Sequence, residues 1–175
     1  MTPRRRLPTL VPLLLALLGA PRAAPAVEVG PACKTEAEKY CKPELKLKKH
    51  ADETSAAQTI RTIGQAETMY NSSYNGYACP LAALGGDPKS GAPSATSAQV
   101  LDPVLAATGQ KSGYTFTVTC GTKVTINNQD VYNSYEVTGV PQSVGKTGDN
   151  GYCSDENNIV KVDPAGATNC TQALQ

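Results

Sequence analysis

The chain has 175 residues, a length that predicts one domain, and a net charge of +1. Residues 1–26 hold four arginines and no acidic residue, so the remaining chain carries a charge of about −3 and a globally basic, nucleic-acid-binding protein is excluded. With no Trp, one Phe and eight Tyr, the core has to come from aliphatic side chains and tyrosines. A local lysine cluster at residues 42–49 is interpreted as a solvated helix face.

The N-terminus has the pattern of a secretory signal peptide. Arg4, Arg5 and Arg6 are followed by an apolar run at residues 10–18 and then by Ala24-Pro25-Ala26, which fits cleavage before Val27. The apolar run is much shorter than the ~20 residues that span a bilayer. We therefore predict a signal peptide at residues 1–26, export to the periplasm or the extracellular space, and no stable membrane anchor. An uncleaved anchor is the alternative.

Six cysteines remain after residue 26, and their even number predicts disulfides in an exported chain. They are Cys33, Cys41, Cys79, Cys120, Cys153 and Cys170. Zinc is the competing interpretation, but no C-x₂-C pair occurs and His50 is the only histidine. Six cysteines allow 15 connectivities. In a continuous helix Cys33 and Cys41 would lie about 12 Å apart, so a bridge between them requires a bend.

The first block after the signal peptide, from about Pro31 to Tyr74, is predicted to be helical. Residues 27–43 form a cysteine-bearing segment, and residues 44–175 form the main domain. Pro43 suits the first turn of a helix, and Asn75-Gly76 is a strong stop signal. An apolar stripe with spacings of four and three lies between them, formed by Ala56, Ile60, Ile63, Glu67, Tyr70 and Tyr74.

Loops, a short helix and then strands follow. Residues 97–108 predict a helix with Val100, Leu101, Val104 and Leu105 as its apolar face and Gly109 as its stop. Residues 114–120 alternate with period two, which indicates a strand. Residues 123–126, 132–138, 152–153 and 159–162 predict further strands. The order predicts an α+β fold, in which a long N-terminal helix packs on an antiparallel sheet of about four strands.

An ordered series of short motifs resembles the head domains of bacterial type IV pilins and type II secretion pseudopilins over residues 53–170. The motifs are Thr54-Ser55-Ala56-Ala57, Ile60-Arg61-Thr62-Ile63, Ala66-Glu67, Gly76-Tyr77-Ala78, Leu81-Ala82-Ala83-Leu84-Gly85-Gly86, Lys111-Ser112-Gly113-Tyr114-Thr115-Phe116 and Tyr152-Cys153-Ser154-Asp155. The resemblance implies a long helix whose C-terminal half packs on an antiparallel sheet. Pilins also carry a short leader and an apolar N-terminal helix, whereas Pro31-Ala32-Cys33-Lys34 follow Gly30 here. We therefore expect a pilin-like head that is exported by another route.

The resemblance also bears on the disulfides. It implies a bridge between Cys153 and Cys170, which clamps the C-terminal segment as in many pilins. A bridge between Cys79 and Cys120 would tie the loop after the helix to the first strand, and Cys33 and Cys41 are left as the third pair.

No residue is predicted to be catalytic or to bind a cofactor or a metal. Glu67 either faces the sheet and accepts hydrogen bonds or lies at the wet edge of the stripe. His50 is interpreted as solvated, and no G-x-S-x-G nucleophile motif occurs. The loop at residues 148–151, with Asp155 and Glu156, offers oxygen ligands for calcium, but its spacing is not that of an EF-hand, which favours ordinary turns.

The expected function is therefore non-enzymatic: an exported, pilin-like domain that acts in binding or assembly. It would be either accessory to a type IV pilus or type II secretion apparatus, with components of that apparatus as its protein partners, or a freestanding periplasmic or secreted module, and in neither case would it bind nucleic acid. Two alternatives stay open. The chain is a genuine minor pilin or pseudopilin subunit, or it is a small secreted enzyme with an unrecognised site.

Overall fold

A computed structural model describes the backbone of residues 31–174 and the side chains from Leu45 to Leu174. The predicted signal peptide at residues 1–26 and its cleavage site lie outside the described residues. Within residues 31–174 a long helix, α1, packs on an antiparallel sheet, which confirms the predicted α+β arrangement.

Helix α1 spans Pro31–Tyr74, 44 residues. Its bounds agree with the helical block predicted from about Pro31 to Tyr74, but Pro43 lies inside the helix and not in its first turn. The predicted stripe is the buried face: Ala56, Ile60, Ile63, Glu67 and Tyr70 are buried and Tyr74 is half-buried. The helix ends at the expected place. The amide of Asn75 donates to the carbonyl of Asn71 at 2.8 Å, and Asn75 has a left-handed φ of 58°.

The main sheet has six strands rather than about four. All neighbouring strands are antiparallel, in the order β1-β2-β5-β6-β7-β8. The strands are β1 (Gln110–Lys111), β2 (Tyr114–Cys120), β3 (Lys123–Ile126), β4 (Gln129–Tyr132), β5 (Tyr135–Pro141), β6 (Gly151–Asp155), β7 (Lys161–Asp163) and β8 (Gln172–Ala173). The additional edge strands, β1 and β8, have two residues each and are too short to show a period in the sequence.

Strands β3 and β4 form a separate hairpin at the tip of the β2–β5 pair. The β2–β5 ladder runs out to Cys120 opposite Tyr135, and a new ladder then begins with Lys123 opposite Tyr132. The residues between the two ladders bond to one another: the Gly121 amide donates to the Ser134 carbonyl at 2.9 Å. The predicted single strand at residues 132–138 was therefore wrong, because the chain bends at Asn133-Ser134 from one sheet into the other.

The connection from α1 to the sheet holds a 3-10 helix, Leu81–Leu84, and a short helix α2, Pro103–Thr108. The predicted start of α2 at residue 97 was wrong, since Asp102 caps the helix by accepting a hydrogen bond from the Leu105 amide at 2.8 Å. Pro103 takes the first helical position. Leu101 and Leu105 are buried, but Val104 is 65% exposed and does not belong to the apolar face.

Close contact between α1 and the sheet depends on a glycine in β5. A Cβ atom added at Gly139 would lie 2.8 Å from the ring of Phe116 and 3.4 Å from Cδ1 of Ile60. Ile60 comes from α1 and Phe116 from β2, and both are buried. The small residue on β5 therefore lets the helix and the neighbouring strand meet above it.

Two of the three expected disulfides are present. Cys79 is bonded to Cys120 and Cys153 to Cys170, with Cα–Cα distances of 5.8 and 6.0 Å. The side chains of Cys33 and Cys41 are outside the described ones, but the backbone is helical through both residues. A continuous helix separates their Cα atoms by about 12 Å, so this backbone does not allow the expected third bridge.

The two bridges indicate an oxidising, exported environment. Across residues 31–174, no helix combines the length and the apolar character that a membrane crossing requires.

Candidate functional site

Two adjoining grooves follow the solvent side of α1, and we refer to them together as the α1 groove. The first, of about 440 Å³, is lined by His50, Glu53, Thr54, Ala57, Gln58, Arg61, Asn150, Tyr152 and Leu174. The second, of about 520 Å³, is lined by Arg61, Gln65, Thr68, Met69 and Asn158. Arg61 belongs to both. One wall is therefore α1, and the other comes from β6, the β6–β7 turn and the residue after β8.

The α1 groove is polar at its centre and apolar at one margin. Arg61 is exposed, and it forms no ion pair with any residue whose side chain is described. Met69, which lines the second groove together with Arg61, is 56% exposed. The groove thus offers one unpaired positive charge and one exposed apolar side chain, a surface suited to a partner with a carboxylate near an apolar side chain.

A loop from the sheet closes the groove near His50. The Glu53 carboxylate accepts hydrogen bonds from the Asp149 amide at 2.7 Å and from the Asn150 side-chain amide at 3.2 Å. The Lys49 ammonium forms an ion pair with the Asp149 carboxylate. These contacts fix the loop before β6 against α1. Glu53 was not singled out from the sequence, because its partners follow about 100 residues later.

The candidate calcium ligands of this loop are placed apart from one another. Asp149 is paired with Lys49, whereas Asp155 accepts a hydrogen bond from the Asn157 amide at 3.0 Å and lies 3.5 Å from the Lys161 ammonium. Glu156 is exposed. Among the residues with described side chains, no three His, Cys, Asp or Glu residues come close enough to hold a metal ion.

His50 is exposed at the end of the α1 groove. Its charged neighbours in the lining are Glu53 and Arg61, and the Glu53 carboxylate is occupied by the loop contacts described above. The structure brings these three residues to one groove, a grouping that was not predicted, although their helical spacing on α1 could have indicated it.

Glu67 faces the interior, so of its two expected positions the structure selects the buried one. Its side chain is 0% exposed, and Oε2 accepts a hydrogen bond from the Ala78 amide at 2.8 Å. Burial raises the pKa of Glu67 to about 8, and the Ala78 hydrogen bond opposes that rise without cancelling it.

The segment closed by the Cys153–Cys170 bridge is organised by a buried carboxylate. Asp163 accepts hydrogen bonds from the amides of Ala165 and Asn169, both at 2.9 Å. Gly151 on β6 lies directly against this segment, since a Cβ there would come within 3.0 Å of the carbonyl carbon of Ala167. Asp163 was not predicted, although Asp163-Pro164 followed by Gly166 is a turn signal that could have indicated it.

A third cleft, of about 570 Å³, lies between the connection after α1 and the β3–β4 hairpin. Its walls include Pro80, Ala95 and Thr96 on one side and Lys123 and Asp130 on the other. Lys123 and Asp130 form an exposed ion pair with each other at 2.6 Å. The two charges on this wall therefore neutralise each other, whereas the charge of Arg61 in the α1 groove has no such partner among the described side chains.

No family model, no curated protein and no solved structure matches the chain.

Proposed function

We propose that the chain is an exported, pilin-like head domain without enzymatic activity, which binds a protein component of a type IV pilus or type II secretion apparatus. The observation that carries the proposal is the packing of one long helix, through the Ile60, Ile63 and Tyr70 face, on an antiparallel sheet whose last strands are clamped by Cys153–Cys170. This is the arrangement that the sequence resemblance implies.

The exposed leucines near the start of the described side chains support a role in assembly. Leu45 and Leu47 are 50% and 70% exposed, and from Leu45 onwards the first described contact of α1 with the loop before β6 is that of Lys49. Exposed leucines on a helix that continues beyond its own sheet provide apolar surface for another protein.

The α1 groove supplies the rest of the binding surface. It follows α1 from His50 to Met69, which is about 28 Å of helix at 1.5 Å per residue. An extended segment of about eight residues has the same length. Arg61 in the middle favours a segment with a carboxylate, and the exposed Met69 favours one with an apolar side chain near it.

Export is supported by the two disulfides, and the periplasm or the extracellular space is the proposed location. The mature protein, purified from the cells that produce it, is expected to begin near Val27. Intact-mass measurement and N-terminal peptide sequencing test this expectation. A retained apolar N-terminus, or an N-methylated first residue, would instead indicate a genuine pilin or pseudopilin subunit.

Photo-crosslinking in the producing cells tests the binding surface directly. A photoreactive amino acid at Leu47 or Gln65 is expected to give adducts with one component of a pilus or secretion apparatus, identified by mass spectrometry. Thr117 is the matched control position, because it is exposed on β2 between the inward-facing Phe116 and Val118. Adducts of equal yield at Thr117, or no protein adduct at either α1 position, would contradict the proposed surface.

A further inference from the structure

Glu67 and Tyr135 each carry a buried polar atom that the rest of the core does not satisfy. Oε2 of Glu67 bonds to the Ala78 amide, but Oε1 has no partner. The Tyr135 hydroxyl is the only other buried side-chain polar atom without a partner among the described residues. Because an ionised carboxylate without water or a cation is costly to bury, the site favours the neutral acid.

The ionisable groups on the elements around Glu67 do not offset its charge. They are Tyr70 and Tyr74 on α1, Tyr77 after the helix, Tyr135 on β5, and Asp155 and Glu156 at the end of β6. The Lys161 ammonium on β7 is paired with Asp155. The 3-10 helix brings no ionisable residue. The protonation of Glu67 therefore depends on burial, which raises its pKa, and on the Ala78 hydrogen bond, which lowers it. Burial has the larger effect.

The Glu67 carboxyl group contacts the segment that holds the β3–β4 hairpin. Ala78 directly precedes Cys79, which is bonded to Cys120 at the end of β2. On the other side of Ala78, Tyr77 exchanges two backbone hydrogen bonds with Tyr132 of β4, at 2.8 and 3.1 Å. Ala78 thus lies between the two residues, Tyr77 and Cys79, that attach this segment to the hairpin and to the strand before it.

We infer that Glu67 is a proton-dependent switch. With its proton bound, Glu67 stays in the dry interior and residues 77–79, and through them the β3–β4 hairpin, stay against the sheet. Loss of the proton leaves an ionised carboxylate with one hydrogen bond in the core, and opening of residues 77–79 to water removes the cost of burying that charge, although the Ala78 bond itself favours the ionised form. The inference does not depend on the proposed function, because it concerns the interior of the domain and not its binding surface.

The sign of the pH effect follows from the two states. In the unfolded chain Glu67 ionises near its ordinary pKa of 4.5, whereas in the folded chain it ionises near 8. The stabilising effect of the neutral acid is complete below pH 4.5, falls as the pH rises, and is lost above pH 8. Between pH 6 and pH 8 the folding equilibrium constant of the natural protein is expected to fall by roughly 50-fold more than in a variant without this carboxyl group.

Glu67→Gln is that variant. Glutamine keeps an oxygen that accepts from the Ala78 amide, adds an NH₂ donor in place of the unpaired Oε1, and carries no titrating proton. Denaturant unfolding at pH 6, 7 and 8 is expected to give a flatter pH profile for Glu67→Gln than for the natural protein. Glu156→Gln, which removes an exposed carboxylate near Tyr135, is the matched control and should keep the natural profile.

Two measurements on the natural protein complete the test. The ¹³Cδ chemical shift of Glu67 is expected to titrate with a midpoint near pH 8, and the protection of the Ala78 amide against hydrogen exchange is expected to fall in the same range. A midpoint below pH 6, or coincident profiles for Glu67→Gln and the natural protein, would overturn the inference. The NMR titration decides the question even where the variant does not fold.

Discussion

Replacing both Cys79 and Cys120 with alanine is expected to lower the free energy of unfolding by about 4 kcal/mol. The bridge closes a loop with a sequence separation of 41, and the chain-entropy cost of such a loop in the unfolded state is of that size. The bridge also joins the segment after α1 to the end of β2, next to the β3–β4 hairpin. Denaturant unfolding of the double variant and of the natural protein at one pH measures the difference.

The double variant of Cys153 and Cys170 provides the comparison. Its loop has a sequence separation of 17, so the same relation predicts a loss of about 3 kcal/mol. The Cys79/Cys120 variant should therefore be the less stable of the two. A loss under about 1 kcal/mol for Cys79/Cys120 would mean that the unfolded chain is already constrained in that region.

Ile60→Ala is expected to lower the free energy of unfolding by about 3 kcal/mol, because it leaves a cavity at the centre of the contact between α1 and the sheet. Ile60 is 0% exposed and faces the Gly139–Phe116 region. Since glycine at 139 has no side chain that could move into the space, collapse around the cavity is limited. Thermal or denaturant unfolding followed by circular dichroism measures the loss.

Met69→Ala is the matched control for Ile60→Ala. Met69 lies on the same helix, but its side chain is 56% exposed, so its removal should change stability by less than about 0.5 kcal/mol. An equal effect of the two substitutions would show that the Ile60 face does not carry the contact with the sheet, and the pilin-like arrangement would lose its support.

The elements in which the hydrophobic period repeats several times were predictable from the sequence. The face of α1 around Ile60 and Ile63 is buried as its spacing indicated, and β2 has the predicted bounds, with Tyr114, Phe116 and Val118 inside. In both cases the period is repeated over several residues within one element. Burial of one face then fixes the orientation of the whole element.

The β4–β5 boundary was not predictable in the same way. Residues 132–138 continue a strand-like composition through Asn133-Ser134, although the chain changes sheet there. What separates the strands is a contact with the opposite side of the hairpin, in which the Asn133 side chain accepts a hydrogen bond from the Thr122 amide at 2.9 Å. Which residue faces Asn133 depends on the register of the hairpin pairing. The pattern of residue types along one strand does not determine that register.

The candidate site shows the same limit. Its α1 wall could be anticipated from helical spacing, but its other wall comes from Asn150, Tyr152, Asn158 and Leu174, all more than 80 residues after Arg61. Whether the Glu67 carboxyl group is exposed or buried could not be predicted for a related reason. Its position in the stripe allowed either a wet or a buried carboxyl group, and only the placement of Ala78 and Tyr135 around it decides between them.

The strand order has a kinetic consequence. Successive strands of the main sheet are neighbours along the chain, apart from the β2–β5 pair, whose strands enclose only the β3–β4 hairpin. Residues 110–173 can therefore pair in short steps with little loop-closure entropy, whereas docking of α1 brings together residues far apart in the sequence. We therefore expect the sheet to form first and the Ile60 face of α1 to dock on it afterwards.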